Sequence, residues 1–210
     1  MKILNLILAF FLLNGLNVNS QTNHFPKGAY MSFDEIISKN PSKQLDLKVV
    51  KRTMGDIKMV GGNDYKIETL DKTIPKKTLK KEIWAYSQGD TLYINCIQFY
   101  MQTWYAPLIS DGKYLVLKAG LSNYVEEQKK QMELGYSFGA IGGAFQGAKL
   151  ATLRFLYVID KNTKTAITVT TEKMQEFLKE RNDLLTQFNN ESKKDDEQVF
   201  IKYLKLLNEN

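Results

Sequence analysis

The sequence predicts an α+β fold, an antiparallel meander-like sheet of about eight strands, open or curled toward a barrel, with C-terminal helices packed on it. Three observations carry this. Apolar and polar residues alternate in short runs between residues 43 and 121, separated by turn chemistry. Two hairpins are marked by their turns, Gln88-Gly89-Asp90 and Asp111-Gly112. From Thr171 onward apolar residues recur at helical spacing, first Met174, Phe177 and Leu178, then Val199, Phe200, Tyr203, Leu204 and Leu207.

The elements follow in order. Gly28-Ala29-Tyr30-Met31 reads as extended chain. Ser32-Phe33-Asp34-Glu35 is a capping box opening a short helix that stops at Asn40-Pro41. Leu45, Leu47 and Val49 alternate with Asp46 and Lys48 as a strand, and Asp56 to Val60 reads as a second. Gly61-Gly62-Asn63-Asp64 is a turn whose glycines are free to take positive φ. Tyr65, Ile67 and Thr69 continue as a strand, and a basic connector follows with Lys72, Lys76, Lys77, Lys80 and Lys81. The first hairpin pairs Glu82–Ser87 with Thr91–Phe99. With Gly89-Asp90 at its turn, Tyr86 faces Tyr93 and Trp84 faces Asn95, leaving Ile83, Ala85, Leu92, Ile94 and Cys96 on an aliphatic face. The second pairs Tyr105–Ser110 with Lys113–Ala119. Ser122 to Leu134 reads as a polar helix, 135–148 as a Gly/Ala-rich segment, and Lys149 to Asp160 as a strand that turns into another through Ile167 and Val169. In outline, a signal peptide (1–20) precedes one α+β domain (21–210). That domain is mostly strands over 43–121, a helix and the Gly/Ala segment over 122–150, a hairpin over 151–170, and helical over 171–210.

The first residues have the three parts of a secretory leader. Lys2 supplies positive charge, Ile3 to Leu13 an apolar run broken only by Asn5, and Val18-Asn19-Ser20 a small-residue cleavage site. The run is short of the roughly 20 residues a membrane-spanning helix needs. Cleavage after Ser20 is expected, releasing a secreted or periplasmic protein that begins at Gln21. Composition fits that address. Cys96 is the single cysteine, so the chain must hold itself together by burial rather than by an internal disulfide. The net charge of +6 suits attraction to anionic surfaces but is far from the dense footprint of a nucleic-acid binder, and no nucleic-acid partner is expected.

Catalytic chemistry is hard to place. A histidine mechanism needs a rigidly held histidine, and the single one, His24, sits near the start of the mature chain. Cys96 reads as a core thiol. There is no G-x-S-x-G, P-loop or H-E-x-x-H. No catalytic residue, metal or cofactor is therefore expected. Two carboxylates suffice for glycan hydrolysis. However, Asp34, Glu35, Asp64, Asp90, Asp111 and Asp160 all stand where turns or helix starts want an acid.

Three features remain as candidate surfaces. Trp84, Tyr86, Tyr93, Trp104 and Tyr105, with Tyr100 nearby, have the aromatic area of a glycan or peptide platform, although cross-strand packing explains them as well. The Lys72–Lys81 cluster is either a solvated loop or an anionic contact. Gly135, Gly139, Gly143 and Gly147 recur at every fourth residue. On a helix they form one flat stripe costing about 1 kcal/mol per glycine, which leaves a packed or mobile structural segment within the domain, a self-association face or a membrane contact as readings.

Several phrases carry a resemblance. Gly28-Ala29-Tyr30-Met31-Ser32-Phe33-Asp34-Glu35 with Asn40-Pro41-Ser42, Asp90-Thr91-Leu92-Tyr93-Ile94-Asn95, Asp111-Gly112-Lys113-Tyr114, and Arg154-Phe155-Leu156-Tyr157-Val158-Ile159-Asp160 after a glycine-rich stretch are together similar to a secreted Bacteroidota family of unknown function. The resemblance implies an exported envelope or extracellular protein and brings no activity or site residue. The expected function is non-enzymatic binding in the bacterial cell envelope, to a glycan, a peptide or a membrane surface. The alternatives are a carboxylate-based hydrolase of envelope glycans and a self-associating, membrane-contacting protein working through the glycine stripe. The sequence sets no oligomeric state.

Overall fold

The computed structural model describes residues 24–124, 126, 128, 129, 131, 133 and 147–209. The leader and Gly135, Gly139 and Gly143 lie outside them. The fold is the expected α+β arrangement, and the described residues form nine antiparallel strands in a sheet that does not close into a barrel. The strands are β1 (Gly28–Tyr30), β2 (Lys48–Lys51), β3 (Tyr65–Glu68), β4 (Ala85–Ser87), β5 (Leu92–Asn95), β6 (Tyr105–Ser110), β7 (Tyr114–Ala119), β8 (Phe155–Asp160) and β9 (Ala166–Thr168). Their order is β1-β4-β5-β6-β7-β8-β9, and the β2–β3 pair joins at β6 through Tyr65 opposite Tyr105. β6 changes partner along its length, pairing β5 through Tyr105–Pro107 and β7 through Leu108 and Ser110. Pro107 has no N–H to give a ladder, which suits the point of handover.

The alternation along the strands sorts side chains onto two faces. One face carries Ala85, Leu92, Ile94, Leu115, Leu117, Phe155, Tyr157 and Ile159. It is covered by Phe25 and by Phe33 and Ile36 of helix α1 (Phe33–Ser38). The other face divides. Its β7–β8 half, with Tyr114, Val116, Leu156 and Val158, packs on the C-terminal helices through Phe177, Phe188, Phe200, Tyr203 and Leu204. Its β4–β6 half, with Tyr86, Tyr93 and Tyr105, packs under β2, β3 and the connector through Leu47, Ile67, Leu79 and Ile83. Burial on both faces explains why β7 and β8 read as nearly unbroken apolar runs. Each large side chain so buried is worth about 1.5–3 kcal/mol.

Local chemistry sets the helices. In α1, Ser32 Oγ accepts the Glu35 N–H at 3.2 Å. The Glu35 carboxylate reaches one residue further back than a capping box requires, taking the Met31 N–H at 2.7 Å and also the Ser42 N–H at 3.1 Å. The stretch expected as a strand at Asp56–Val60 is a helix, α2 (Met54–Val60). Thr53 and Asp56 form a reciprocal capping box and Gly61 closes the last turn, so end chemistry outweighs the short apolar alternation. Only Ile57 is buried, and Met59 and Val60 are 85% and 71% exposed.

Other expected strands are shorter than read. The β5 chain leaves the sheet at Asn95 into a 3-10 turn (Cys96–Phe99), and residues Gly147–Leu150 form a helical turn, α3, ahead of β8. The C-terminal helices are α4 (Thr171–Leu178), α5 (Asn182–Asn189) and α6 (Glu197–Asn208), with Thr170 capping α4 and Asp196 capping α6. Among the described residues no helix is long and apolar enough to cross a membrane.

Candidate functional site

The basic connector and one of the tryptophans meet in a groove. It has a volume of about 660 Å3 and lies between β3, the connector and the turn that precedes β4. Its walls are Lys66, Ile67, Lys72, Ile74, Lys76, Leu79, Lys80 and Trp104, with Glu68 and Asp71 among them. The volume is that of an ordinary ligand site.

The groove is built from the sheet outward. Residues Thr78–Glu82 form a π-helical turn, whose wide winding leaves carbonyls to be satisfied from outside. The sheet supplies the donors. Tyr105 Oη donates to the Leu79 carbonyl at 2.6 Å, and Asn95 Nδ2 donates to the carbonyls of Lys80 at 3.0 Å and Ile83 at 2.7 Å. Leu79 and Lys80 are thereby fixed from beneath, and the Lys80 ammonium stands 4.9 Å from the Trp104 ring centroid.

Trp104 is held from its other side by the turn after α2. Its φ of +77° is a left-handed conformation seldom adopted by a large side chain. Gly62, at φ +87°, lies so near that a Cβ there would sit 2.6 Å from Trp104 Cδ1. Arg52 is buried, donates to the carbonyls of Gly61 at 2.7 Å and Asn63 at 2.8 Å, and stacks its guanidinium 5.8 Å from the same ring. Burial lowers its pKa, opposed by the Asp56 charge. Asn63 donates to the carbonyls of Gln102 at 2.6 Å and Thr103 at 3.1 Å and accepts the Gly120 N–H at 2.6 Å. Arg154 clamps Asp64 Oδ1 through Nε at 2.9 Å and Nη2 at 2.6 Å, and reaches the Gly62 carbonyl at 3.1 Å. The indole is a fixed wall rather than a free surface ring.

The charges are unevenly answered. Lys66 pairs with Glu68 at 2.6 Å, and Lys77 approaches Glu82 at 3.8 Å. Lys72, Lys76 and Lys80 have no carboxylate within ion-pair distance among the described residues. Asp71 spends Oδ1 on the Thr73 N–H at 2.8 Å and hydroxyl at 2.6 Å, which hold its carboxyl below the usual range.

The expected aromatic platform is distributed over the structure. The register is as read, Tyr86 opposite Tyr93, and Trp84 opposite Asn95. Tyr86 and Tyr105 are fully buried; the Tyr86 hydroxyl takes the Leu47 N–H and donates to the Leu47 carbonyl at 3.0 Å. Burial raises the Tyr105 pKa strongly, and that of half-buried Tyr93 is raised by burial and then by Tyr65, whose ring is 5.1 Å away. Trp84 lies on the opposite face, packed on Phe33 and Phe99, while Ile83 has taken the aromatic side. The chain crosses over as it leaves the π-helical turn. Of the five aromatic residues only Trp104 lines the groove. Gly147 opens α3, and the rest of the glycine stripe lies outside the described residues.

A second hollow of about 440 Å3 is lined by His24, Phe25, Asp90, Thr91 and Ser110. Among the described residues no group of His, Cys, Asp and Glu side chains could hold a metal ion. Cys96 is fully buried, and desolvation pushes its thiol pKa far up, away from the reactive thiolate.

Residues 28–210 match the pattern of a family of unknown function. The chain belongs to that family, DUF6563. No curated protein and no solved structure matches the chain. The DUF6563 pattern covers every element that builds the groove, from β1 to α6. Sequence reading missed Arg52, Gly62, Asn63 and Asn95 as parts of the site. The pair Gly61-Gly62 was their one local signal, since consecutive glycines ahead of a strand mark a close backbone approach as well as a turn.

Proposed function

We propose that this member of DUF6563 is an exported, non-enzymatic binding protein of the bacterial cell envelope, and that it holds its partner in the Lys/Trp104 groove. The observation that carries this is the placing of three lysines without carboxylate partners beside an indole locked at φ +77°. Backbone strain at a large residue costs of order 1–3 kcal/mol and persists where its surroundings over-determine it. Gly62, Arg52 and Lys80 do so here, and the product is a rigid aromatic wall under positive potential. Rigidity of that kind lowers the entropic cost of binding.

Hydrolysis has less support. A general acid needs a carboxyl whose pKa is raised. The two carboxylates of the groove are engaged with Lys66 and Thr73, and Asp71 is displaced the other way. The leader-like first twenty residues and the secreted Bacteroidota resemblance support export. Co-sedimentation of the full chain with purified envelope polysaccharide tests the reading. Wild type should pellet with the polymer and Trp104→Phe should do so less; equal recovery of both would overturn the groove as the binding site.

A further inference from the structure

We infer that the groove takes an acidic carbohydrate chain, a polymer whose sugars bear carboxylate or other anionic groups; this rests on the groove being the binding site. Four lysines line it against two carboxylates, and one of the four is already paired with Glu68. The three unpaired lysines join the lining from different points of the chain, Lys72 and Lys76 from successive parts of the connector and Lys80 from the π-helical turn, and all three are exposed. Separate, exposed cations of this kind suit charges repeated along a ligand better than one compact anion. The surface between the charges is apolar. Ile67 and Leu79 are buried in its floor, Ile74 is half-buried, and Trp104 closes one wall. A pyranose ring offers the same combination, with C–H groups on its faces and charged substituents at its rim. Lys80 joins the two halves of the site, because its ammonium lies over the Trp104 ring and an acid group drawn to it brings its sugar against the indole. A lipid bilayer is a flat partner and the groove is concave. Single-stranded nucleic acid is held on successive aromatic platforms, and this groove presents one aromatic ring, Trp104.

The test is affinity electrophoresis and calorimetry of the full chain with sodium polygalacturonate. Its comparison arms are neutral dextran, phosphatidylglycerol–phosphatidylethanolamine vesicles and a single-stranded oligonucleotide. Wild type should bind polygalacturonate in a salt-sensitive way and ignore dextran. Lys76→Gln with Lys80→Gln should weaken binding about tenfold, the worth of two exposed charge contacts. Lys179→Gln with Lys193→Gln, outside the groove, should leave it unchanged, and thermal melts should show that both pairs fold alike. Dextran binding that is lost in Trp104→Phe and indifferent to the lysine changes would overturn the acidic class while leaving the groove reading intact. Preference for the vesicles or the oligonucleotide overturns the carbohydrate assignment. Binding of polygalacturonate that no groove variant alters sinks both readings.

Discussion

Gly62→Ala isolates the contact on which the groove wall depends. Three terms set its cost. A residue with a Cβ pays about 1–2 kcal/mol for the left-handed backbone that Gly62 adopts at φ +87°. The new methyl would lie 2.6 Å from Trp104 Cδ1 and 3.0 Å from both Arg52 Nη1 and the Thr103 carbonyl oxygen. The guanidinium is tied to two carbonyls and the carbonyl belongs to the backbone, so little can yield, and such overpacking costs about 1–3 kcal/mol. Alanine returns about 0.4–1 kcal/mol by restricting the unfolded chain. The net expectation is a loss of about 2–4 kcal/mol. Urea denaturation followed by circular dichroism measures it. In a Trp104→Ala background the indole is gone while the Thr103 carbonyl remains, so the same change should cost about 1–2 kcal/mol less, and the double-mutant cycle gives that coupling. A cost below about 1 kcal/mol, or one identical in both backgrounds, would refute the claim that Gly62 seats Trp104 by close approach.

Four further outcomes are expected. Gly112→Ala should destabilise by at least about 1–3 kcal/mol, because a Cβ there collides with Asn208 backbone atoms at the end of α6; an unchanged melting temperature would contradict this. Hydrogen bonds from Thr53 hold the Asp56 carboxyl below its usual range, so its contribution is present above the unfolded carboxyl range and lost as pH falls through the folded value. Asp56→Asn should therefore differ from wild type at neutral pH and converge with it in acid, and a pH-independent gap would count against the capping box. Cys96 should resist a bulky thiol reagent until denaturant is added, since it is fully buried with its pKa pushed up; rapid native labelling would refute the core assignment. Protein exported from a Gram-negative host should begin at Gln21 by intact mass, and a retained Met1 would remove the export proposal.

Legibility in the sequence followed the range of the forces involved. Leu115, Leu117, Tyr157 and Ile159 alternate with Val116, Leu156 and Val158 in the sequence as they do across the sheet, because the pleat alone sets that pattern. Ser32 and Glu35 could be paired by eye, since a cap is local. The same chemistry at Thr53 and Asp56 lay under the short alternation of Ile57 and Met59, and the cap won because seven residues without a pairing partner gain more from a closed helical turn. Gly112 shows a different limit. Its place after Asp111 suggested a glycine chosen for positive φ in a two-residue hairpin. The β6–β7 ladder shifts register between Leu108 and Ser110, three residues connect the strands, and the glycine, which is not at positive φ, is needed for space against Asn208, nearly a hundred residues along the chain.

The groove was visible as two unrelated clues, a lysine-rich connector and a set of aromatics, and what joins them is buried and polar. Tyr105 looked like ligand surface and is instead the donor that fixes the Leu79 carbonyl beneath the groove. Asn95 does the same for Lys80 from inside the sheet, where a buried amide costs stability unless it is bonded. Such residues carry no periodic signal, because their partners are set by the path of a loop rather than by strand or helix geometry. The interior polar groups are therefore the best guide to which surface the fold holds rigid. Here Arg52, Asn63, Asn95 and Tyr105 all point to the backbone segments that frame Trp104 and Lys80. The molecule commits buried hydrogen-bonding groups to a place where an apolar core would have been the easier solution. That commitment is the physical reason to look for a ligand there before anywhere else on the surface.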